Sequence, residues 1–396
     1  MRITRLSAYQ VSVPLRRKIK HASFSRSEST SIIVKCQLED GTTGWGESVP
    51  RPYVTGESAE TVLAQYEATD FRFLVDNKLE TIENVVEVCS AFKLSRLSNA
   101  PSEYQKRGCF GNAARCAIEL SLLDATARLW NISLSELIAS IPGIADLCET
   151  RDCIQYSAVL TSMKPLKQTI LALLYRLTGF QSCKVKVGLP GIDDITLLRK
   201  IRMLTGQKMS LRIDANEAWS RQILEDHASD FNALAIQSIE QPVPHQDLDT
   251  LRQIRGQLAT RIMLDESLCS YQDGELAIAE GYCDAFNLRI SKLGGLIPTV
   301  RLAHLARQTG LRYQLGCQVG ETGILSAAGR HFATSIRGID FLEGSFDRYL
   351  LKQNLIQEDI SFQWGGRAPA LSGPGLGITV DEHFIQEYKE RELILI

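Results

Sequence analysis

The stretch Ser182-Cys-Lys-Val-Lys-Val-Gly188 decides how the rest of the chain is understood. Lys184 and Lys186 occupy alternate positions of a short apolar run, and residues two apart in a β-strand point to the same side. Two ammonium groups on one face disfavour each other's charge, and partial burial disfavours it further. A lysine placed in this way is a candidate base near neutral pH. An edge strand guarded by lysines has the same local pattern, so the stretch needs its context.

That context repeats. Downstream come L-R-I-D-A-N with Asp214, I-Q-S-I-E-Q-P with Glu240, R-I-M-L-D-E-S with Asp265 and F-N-L-R-I-S-K-L-G-G with Lys292. Each is a short strand-like run with a charged residue at its C-terminal end. The steps from 186 to 214, 240, 265 and 292 are 28, 26, 25 and 27 residues, the length of a strand, a loop and a helix. Helices are predicted between them over 193–203, 222–233, 248–258 and 274–280. The pattern predicts a (β/α) barrel with its site at the C-terminal ends of the strands. The first barrel strand is expected over 154–160, with a helix over 164–178. Further strands are expected over 311–316 and 339–344, with a helix over 324–334 between them.

The chain ahead of the barrel reads differently. Residues 1–13 alternate apolar and polar, and Pro14 is expected to end that strand. Residues 15–29 read as a polar, basic loop. Strands are expected over 30–38 and 42–47 about a turn at Glu39-Asp40-Gly41. An irregular loop over 49–57 and helices over 58–67 and 81–91 follow, with a polar connection over 93–107. Residues 112–130 form the clearest helix, with one apolar side. These elements predict an α+β domain over 1–135, a barrel over 136–345 and a tail over 346–396 that packs on the first domain.

The chain has 396 residues, a net charge of −2 and a sequence pI of about 6.4, so it carries no electrostatic footprint for nucleic acid. At 44% hydrophobic it can fill a large core. Its ten cysteines are scattered without a C-x-x-C pair, which suggests reduced thiols and a cytoplasmic protein. Cys183, Cys283 and Cys317 read as small core residues. No signal pattern and no run of about 18 apolar residues points to export or a membrane.

Three carboxylates converging at a barrel mouth repel one another unless a cation joins them. Asp214, Glu240 and Asp265 suit a hard divalent ion: Mg²⁺, with Mn²⁺ as a possible substitute. A metal with open positions can bind a substrate carboxylate and stabilise the enediolate formed when the α-proton leaves. Lys186 precedes the metal strands and Lys292 follows them, so the two are placed to flank the substrate carbon. Lys184 would lower the pKa of Lys186. Asn216 and Glu266 are candidate supports behind these groups.

Together, K-V-K (184–186), D-A-N (214–216), E-Q-P (240–242), D-E-S (265–267) and S-K-L-G-G (291–295) resemble the enolase superfamily, in its muconate lactonizing enzyme subgroup. G-W-G-E (44–47), L-G-C-Q-V-G-E-T-G (315–323) and P-G-L-G-I (374–378) fit as well. The resemblance implies an α+β capping domain followed by a modified TIM barrel, (β/α)₇β, with the C-terminal segment returning to the cap. It implies Asp214, Glu240 and Asp265 as metal ligands and Lys186 and Lys292 as the acid/base pair, with Lys184 in support. Loops 15–29 and 48–57 would close over a small-molecule carboxylate, and a homo-oligomer is expected. Substrate contacts are expected from His21, Arg26, Tyr53, Glu321, Glu343 and Asp347. Dipeptide epimerases in the family carry an Asp-x-Asp pair at the last strand, where this chain has Gly344 and Phe346. The seventh-strand region is one residue longer than the family pattern, at Gly320-Glu321-Thr322. The expected activity is that of a racemase, epimerase or cycloisomerase. A lyase of the o-succinylbenzoate synthase type and a non-catalytic carboxylate-binding homologue are the alternatives.

Overall fold

The computed structural model describes residues 1–20, 25–161 and 163–396, with backbone only at 19, 20 and 25. Four strands form an antiparallel sheet. They are β1 (Ile3–Lys20), β2 (Ser25–Leu38), β3 (Thr43–Ser48) and the C-terminal strand Lys389–Ile394, which pairs with β1. The helix Asn112–Leu129 lies across this sheet, and its contact with β3 explains G-W-G-E. A Cβ on Gly44 would lie 2.1 Å from the Ala125 nitrogen, and one on Gly46 would lie 2.0 Å from the Ala117 oxygen. Only glycine lets strand and helix backbones approach this closely. The helix is buried nearly all round, not on one side as its spacing suggested.

Proline does not end β1. Pro14 lacks a ladder donor, but its carbonyl accepts from the Lys352 amide at 2.9 Å, and Leu15 bridges to Leu351. The expected loop over 15–29 is therefore two arms of a long hairpin, paired as Ile19 with Arg26 and Lys20 with Ser25. His21 lies outside the described residues.

The remaining strands form one parallel sheet in sequence order. They are β4 (Ala158–Leu160), β5 (Ser182–Lys186), β6 (Ser210–Asp214), β7 (Ile236–Glu240), β8 (Arg261–Leu264), β9 (Ala285–Leu288), β10 (Arg312–Leu315) and β11 (Ile339–Leu342). The two edges meet where the Ser157 amide donates to the Leu342 carbonyl at 2.8 Å. This is the modified barrel behind an α+β cap. The run expected as one strand over 154–160 is two: Cys153–Gln155 pairs with Arg367–Pro369 of the tail, and only β4 joins the barrel. Short helices Pro52–Thr55 and Ser102–Lys106 stand where the sequence suggested a loop and a connection, and a further short helix spans Arg72–Asp76.

Buried carboxylates of the first 135 residues fasten the two halves. Glu119 accepts from the Leu296 and Ile297 amides at 2.5 and 3.2 Å, at the start of the helix Leu296–Gln308. Glu47 accepts from the Thr322 and Leu325 amides at 2.9 Å each, at the start of the helix Gly323–Ser335. Acidic groups suit helix N-termini, where amides lack partners and the dipole is positive.

Candidate active site

β5 to β8 set four charged side chains side by side at their C-terminal ends. Lys186 pairs in register with Asp214, and Asp214 with Glu240; Asp265 directly follows β8. Asp214, Glu240 and Asp265 are all buried. Lys186 Nζ lies 2.6 Å from Asp214 Oδ2 and 2.5 Å from Asn216 Oδ1. Asn216 has a φ of +43°, a left-handed turn that asparagine tolerates, just beyond β6. Its Nδ2 donates to Glu266 Oε1 at 3.3 Å, so Asn216 links Lys186 to Glu266.

Lys292 sits elsewhere than its motif implied. β9 ends at Leu288, and Lys292 lies in the helical turn Ile290–Leu293. Its Nζ reaches back to Asp265 Oδ1 and the Asp265 carbonyl at 2.8 Å each, and to the Asn287 carbonyl at 3.0 Å. The residue at the end of β9 is Arg289, which the sequence reading missed. Its guanidinium pairs with Asp265 and lies 3.6 Å from Glu240 Oε1. The signal was present: Arg289 follows Asp265 by 24 residues, close to the period of the other strand ends.

Lys184 is buried among carboxylates rather than beside Lys186 as a competing charge. It lies 2.7 Å from Glu343, 3.2 Å from Glu240 and 3.3 Å from Asp214. Burial works against its charge, but Glu240, Glu343 and Asp214 outweigh burial and hold its pKa above the ordinary lysine value. Lys184 is thus a fixed cation beneath the site. Glu343, expected to touch substrate, is engaged below the mouth instead: Arg212 donates to it at 2.6 Å, and Lys184 is its other partner. Asp347 is buried and accepts from Asn354 Nδ2 at 2.5 Å. Asn287 and Gln314 donate to Glu240 at 3.0 and 3.1 Å.

The other expected contacts gather near the mouth. Arg26 donates to the Tyr53 hydroxyl at 3.0 Å, joining the hairpin arm to the loop after β3. Arg51, which the sequence reading also missed, is buried between them and donates to the Val319 carbonyl at 3.0 Å and the Ser29 hydroxyl at 3.2 Å. Gly320 packs on Ser29, so the extra residue of this loop sits against the cap. Glu321 accepts from the Gln318 amide at 2.5 Å, and burial pushes its carboxyl up to about 8. It lines a small cavity with Tyr156, Cys317, Glu343 and Gly344.

Among the described residues, no three His, Cys, Asp or Glu side chains already converge as a closed metal-binding group. The arc carboxylates are held instead by Lys184, Lys186, Arg289 and Lys292. The donor set still fits a hard divalent ion: three carboxylates on successive strand ends, with no thiol or imidazole. The electrostatics agree. Burial and then Asp214 push Glu240 up to about 7, and burial and then Asp265 push Glu266 well up. Burial thus disfavours the charge of these two carboxyls, and a bound cation would offset that cost.

Residues 3–139 match the family model described as mandelate racemase / muconate lactonizing enzyme, N-terminal domain, and residues 170–384 match the one described as enolase C-terminal domain-like. The chain is 28% identical over 394 residues to an N-succinyl-L-Arg/Lys racemase of Bacillus cereus, covering 98% of each. The crystal structure of the N-succinyl Arg/Lys racemase from Bacillus cereus superposes with a TM-score of 0.84 at 26% identity, over the whole of both chains. An L-Ala-D/L-Glu epimerase of Bacillus subtilis is 27% identical over 383 residues, covering 96% of this chain and 97% of the relative. A dipeptide epimerase from Cytophaga hutchinsonii, solved with Mg and the dipeptide D-Ala-L-Val, shares the fold with a TM-score of 0.81 at 23% identity, over the whole of both chains.

Proposed function

The chain belongs to the mandelate racemase / muconate lactonizing enzyme family of the enolase superfamily, and we propose that it is a Mg²⁺-dependent racemase or epimerase acting at the carbon α to a substrate carboxylate. The observation that carries this reading is the placement of Lys186 and Lys292 at opposite flanks of one arc of carboxylates. Lys186 is bonded to the first member, Asp214, and Lys292 to the last, Asp265. The racemase and epimerase among the relatives support it.

In this reading the substrate α-carbon sits between the two ammonium positions. The lysine that is neutral takes the α-proton onto Nζ, and the protonated lysine opposite delivers its own proton to the other face, inverting the carbon. Asp214, Glu240 and Asp265 would hold Mg²⁺, which supplies positive charge opposite the substrate's carboxylate oxygens. Lys184 and Arg289 hold the arc carboxylates in place. Asn216 and Asp214 orient the Lys186 ammonium. The loop after β3 and the hairpin arms, joined by Arg26, Tyr53 and Arg51, close over the mouth. The division into cap (1–135), barrel (136–345) and returning tail (346–396) belongs to the same reading.

The last strand narrows the substrate. Glu343 is neutralised by Lys184 and Arg212, Asp347 is engaged by Asn354, and Phe346 packs on Phe362 with ring centroids 5.1 Å apart. Glu343 and Phe346 are not set to receive a free ammonium group and Asp347 is buried, which favours a substrate whose α-nitrogen is uncharged, such as an N-acylamino acid. A lyase reading keeps one observation in its favour: the Lys292 side chain is sealed while that of Lys186 is 27% exposed, and a single base suffices for elimination. The test is incubation with Mg²⁺ and single enantiomers of N-acylamino acids, dipeptides and hydroxy-carboxylates, followed by chiral chromatography and product analysis. Inversion of the N-acyl substrates supports the proposal. Loss of water from a hydroxy-carboxylate without inversion would replace it by the lyase, and neither turnover nor α-proton exchange by the non-catalytic homologue.

A further inference from the structure

The helix Pro165–Leu177 packs on the barrel by unexpected residues. It buries Gln168 and Ala172, while Leu166, Ile170, Leu173, Leu174 and Leu177 face outward. Trp364 extends the same surface, because Gln155 Nε2 donates both to the Gly179 carbonyl just past this helix and to the Gly365 carbonyl, at 3.1 and 2.6 Å. These six side chains are between 41% and 81% exposed. Together they present on the order of 600 Å² of apolar surface, at the top of the ~300–600 Å² range for the largest patch of a monomer and close to the ~800 Å² each partner gives a stable interface.

The order of the stripe says what covers it. Leu166, Ile170, Leu173 and Leu177 are spaced 4, 3 and 4 residues apart, a pattern that reads the same in both directions. Such a stripe is complementary to itself when two helices pack antiparallel about a twofold axis, since residue i meets j and j meets i. Exposed Lys164 and Lys167 at the helix start would then lie beside the carbonyl end of the opposite helix, where positive charge is favoured.

We propose that the outer face of helix 165–177 is the twofold interface between two copies of this chain, with Ile170 of each copy against Leu173 of the other and Leu166 against Leu177. The proposal is independent of the substrate and of the metal. Sedimentation velocity and light scattering on the full chain at micromolar concentration test it. The wild type is expected as a dimer or a multiple of one. Ile170→Glu and Leu173→Glu are each expected to halve the assembly mass with an unchanged circular dichroism spectrum. Leu276→Glu, exposed on a different helix, is expected to leave the mass unchanged. The milder Leu166→Ser and Leu177→Ser replace the glutamate variants if those fail to fold, and are expected to weaken the dimer at least tenfold. A monomeric wild type, including one that floats with anionic phospholipid vesicles, overturns the proposal. So does an assembly mass that none of the stripe variants changes.

Discussion

Lys186 and Lys292 flank the same arc of carboxylates, yet they are held in opposite ways. Lys186 leaves the end of a barrel strand with a partly exposed side chain and, among the described residues, bonds only to the side chains of Asp214 and Asn216. Lys292 is enclosed, and two of its three bonds go to main-chain carbonyls. Its turn is also braced from the cap. Asn112 donates to the Lys292 carbonyl at 3.0 Å and to the Cys269 carbonyl at 2.7 Å, and Glu119 caps the helix that begins four residues later. The barrel alone positions one lysine, whereas the cap and barrel together position the other. Chemistry at Lys292 should therefore depend on how the two domains dock, and chemistry at Lys186 should not.

Catalysis gives the largest effect. Lys186→Ala and Lys292→Ala are each expected to lower kcat for inversion by about 10²–10⁴-fold or more, the usual contribution of a positioned acid or base. A variant that keeps full inversion breaks the symmetric half of the comparison. Stability gives the asymmetric half. Lys292→Met leaves a buried carboxylate short of a partner and is expected to destabilise by about 3–5 kcal/mol. Lys186→Met also takes a partner from a buried carboxylate, but its ammonium is partly exposed and Lys184 stays beside Asp214, so the expected loss is smaller, about 1–3 kcal/mol. Urea unfolding of both variants checks this, and equal losses would mean that the two sites are equally sealed.

The cap's part is tested at Gly295. Its φ is +130°, and a Cβ there would lie 1.9 Å from Glu119 Oε2. Gly295→Ala is expected to destabilise by about 1–3 kcal/mol and to slow α-proton exchange in D₂O more for the enantiomer whose proton Lys292 removes than for the other, measured from each enantiomer separately. The last effect is a pH dependence. Burial pushes Glu119 up to about 8, above the roughly 4.3 of an unfolded glutamate. The folded state then holds a proton that the unfolded state has released, so stability falls as pH rises from about 4.3 through 8. Melting temperatures of the wild type and Glu119→Gln are expected to separate across this window, the wild type losing ground toward pH 8.

The barrel and its charged ladder were legible in the sequence because a strand-loop-helix period is local. The three carboxylates and two lysines lie at one end of the parallel sheet, as the spacing implied. What failed depended on residues far apart in the chain. Lys184 looked like a like charge set against Lys186; three carboxylates from three other strand ends make it a counter-ion instead. Glu343 follows its strand just as Asp265 does, yet it turns to Lys184 and Arg212, and no local pattern announces that pairing. Pro14 signalled a strand end by the ordinary rule, but the Lys352 amide, 338 residues on, uses its carbonyl and carries the strand over the barrel. Arg289 was overlooked for a simpler reason. The lysine of S-K-L-G-G drew attention four residues past the true strand end.

The central claim is that one lysine serves each face of the α-carbon. It is tested most directly by α-proton exchange in D₂O with Mg²⁺, followed by NMR on separate enantiomers of an N-acylamino acid that the wild type inverts. The wild type is expected to wash deuterium into both enantiomers. Lys186→Ala is expected to exchange only one of them and Lys292→Ala only the other. Exchange of both enantiomers by either variant would contradict the account.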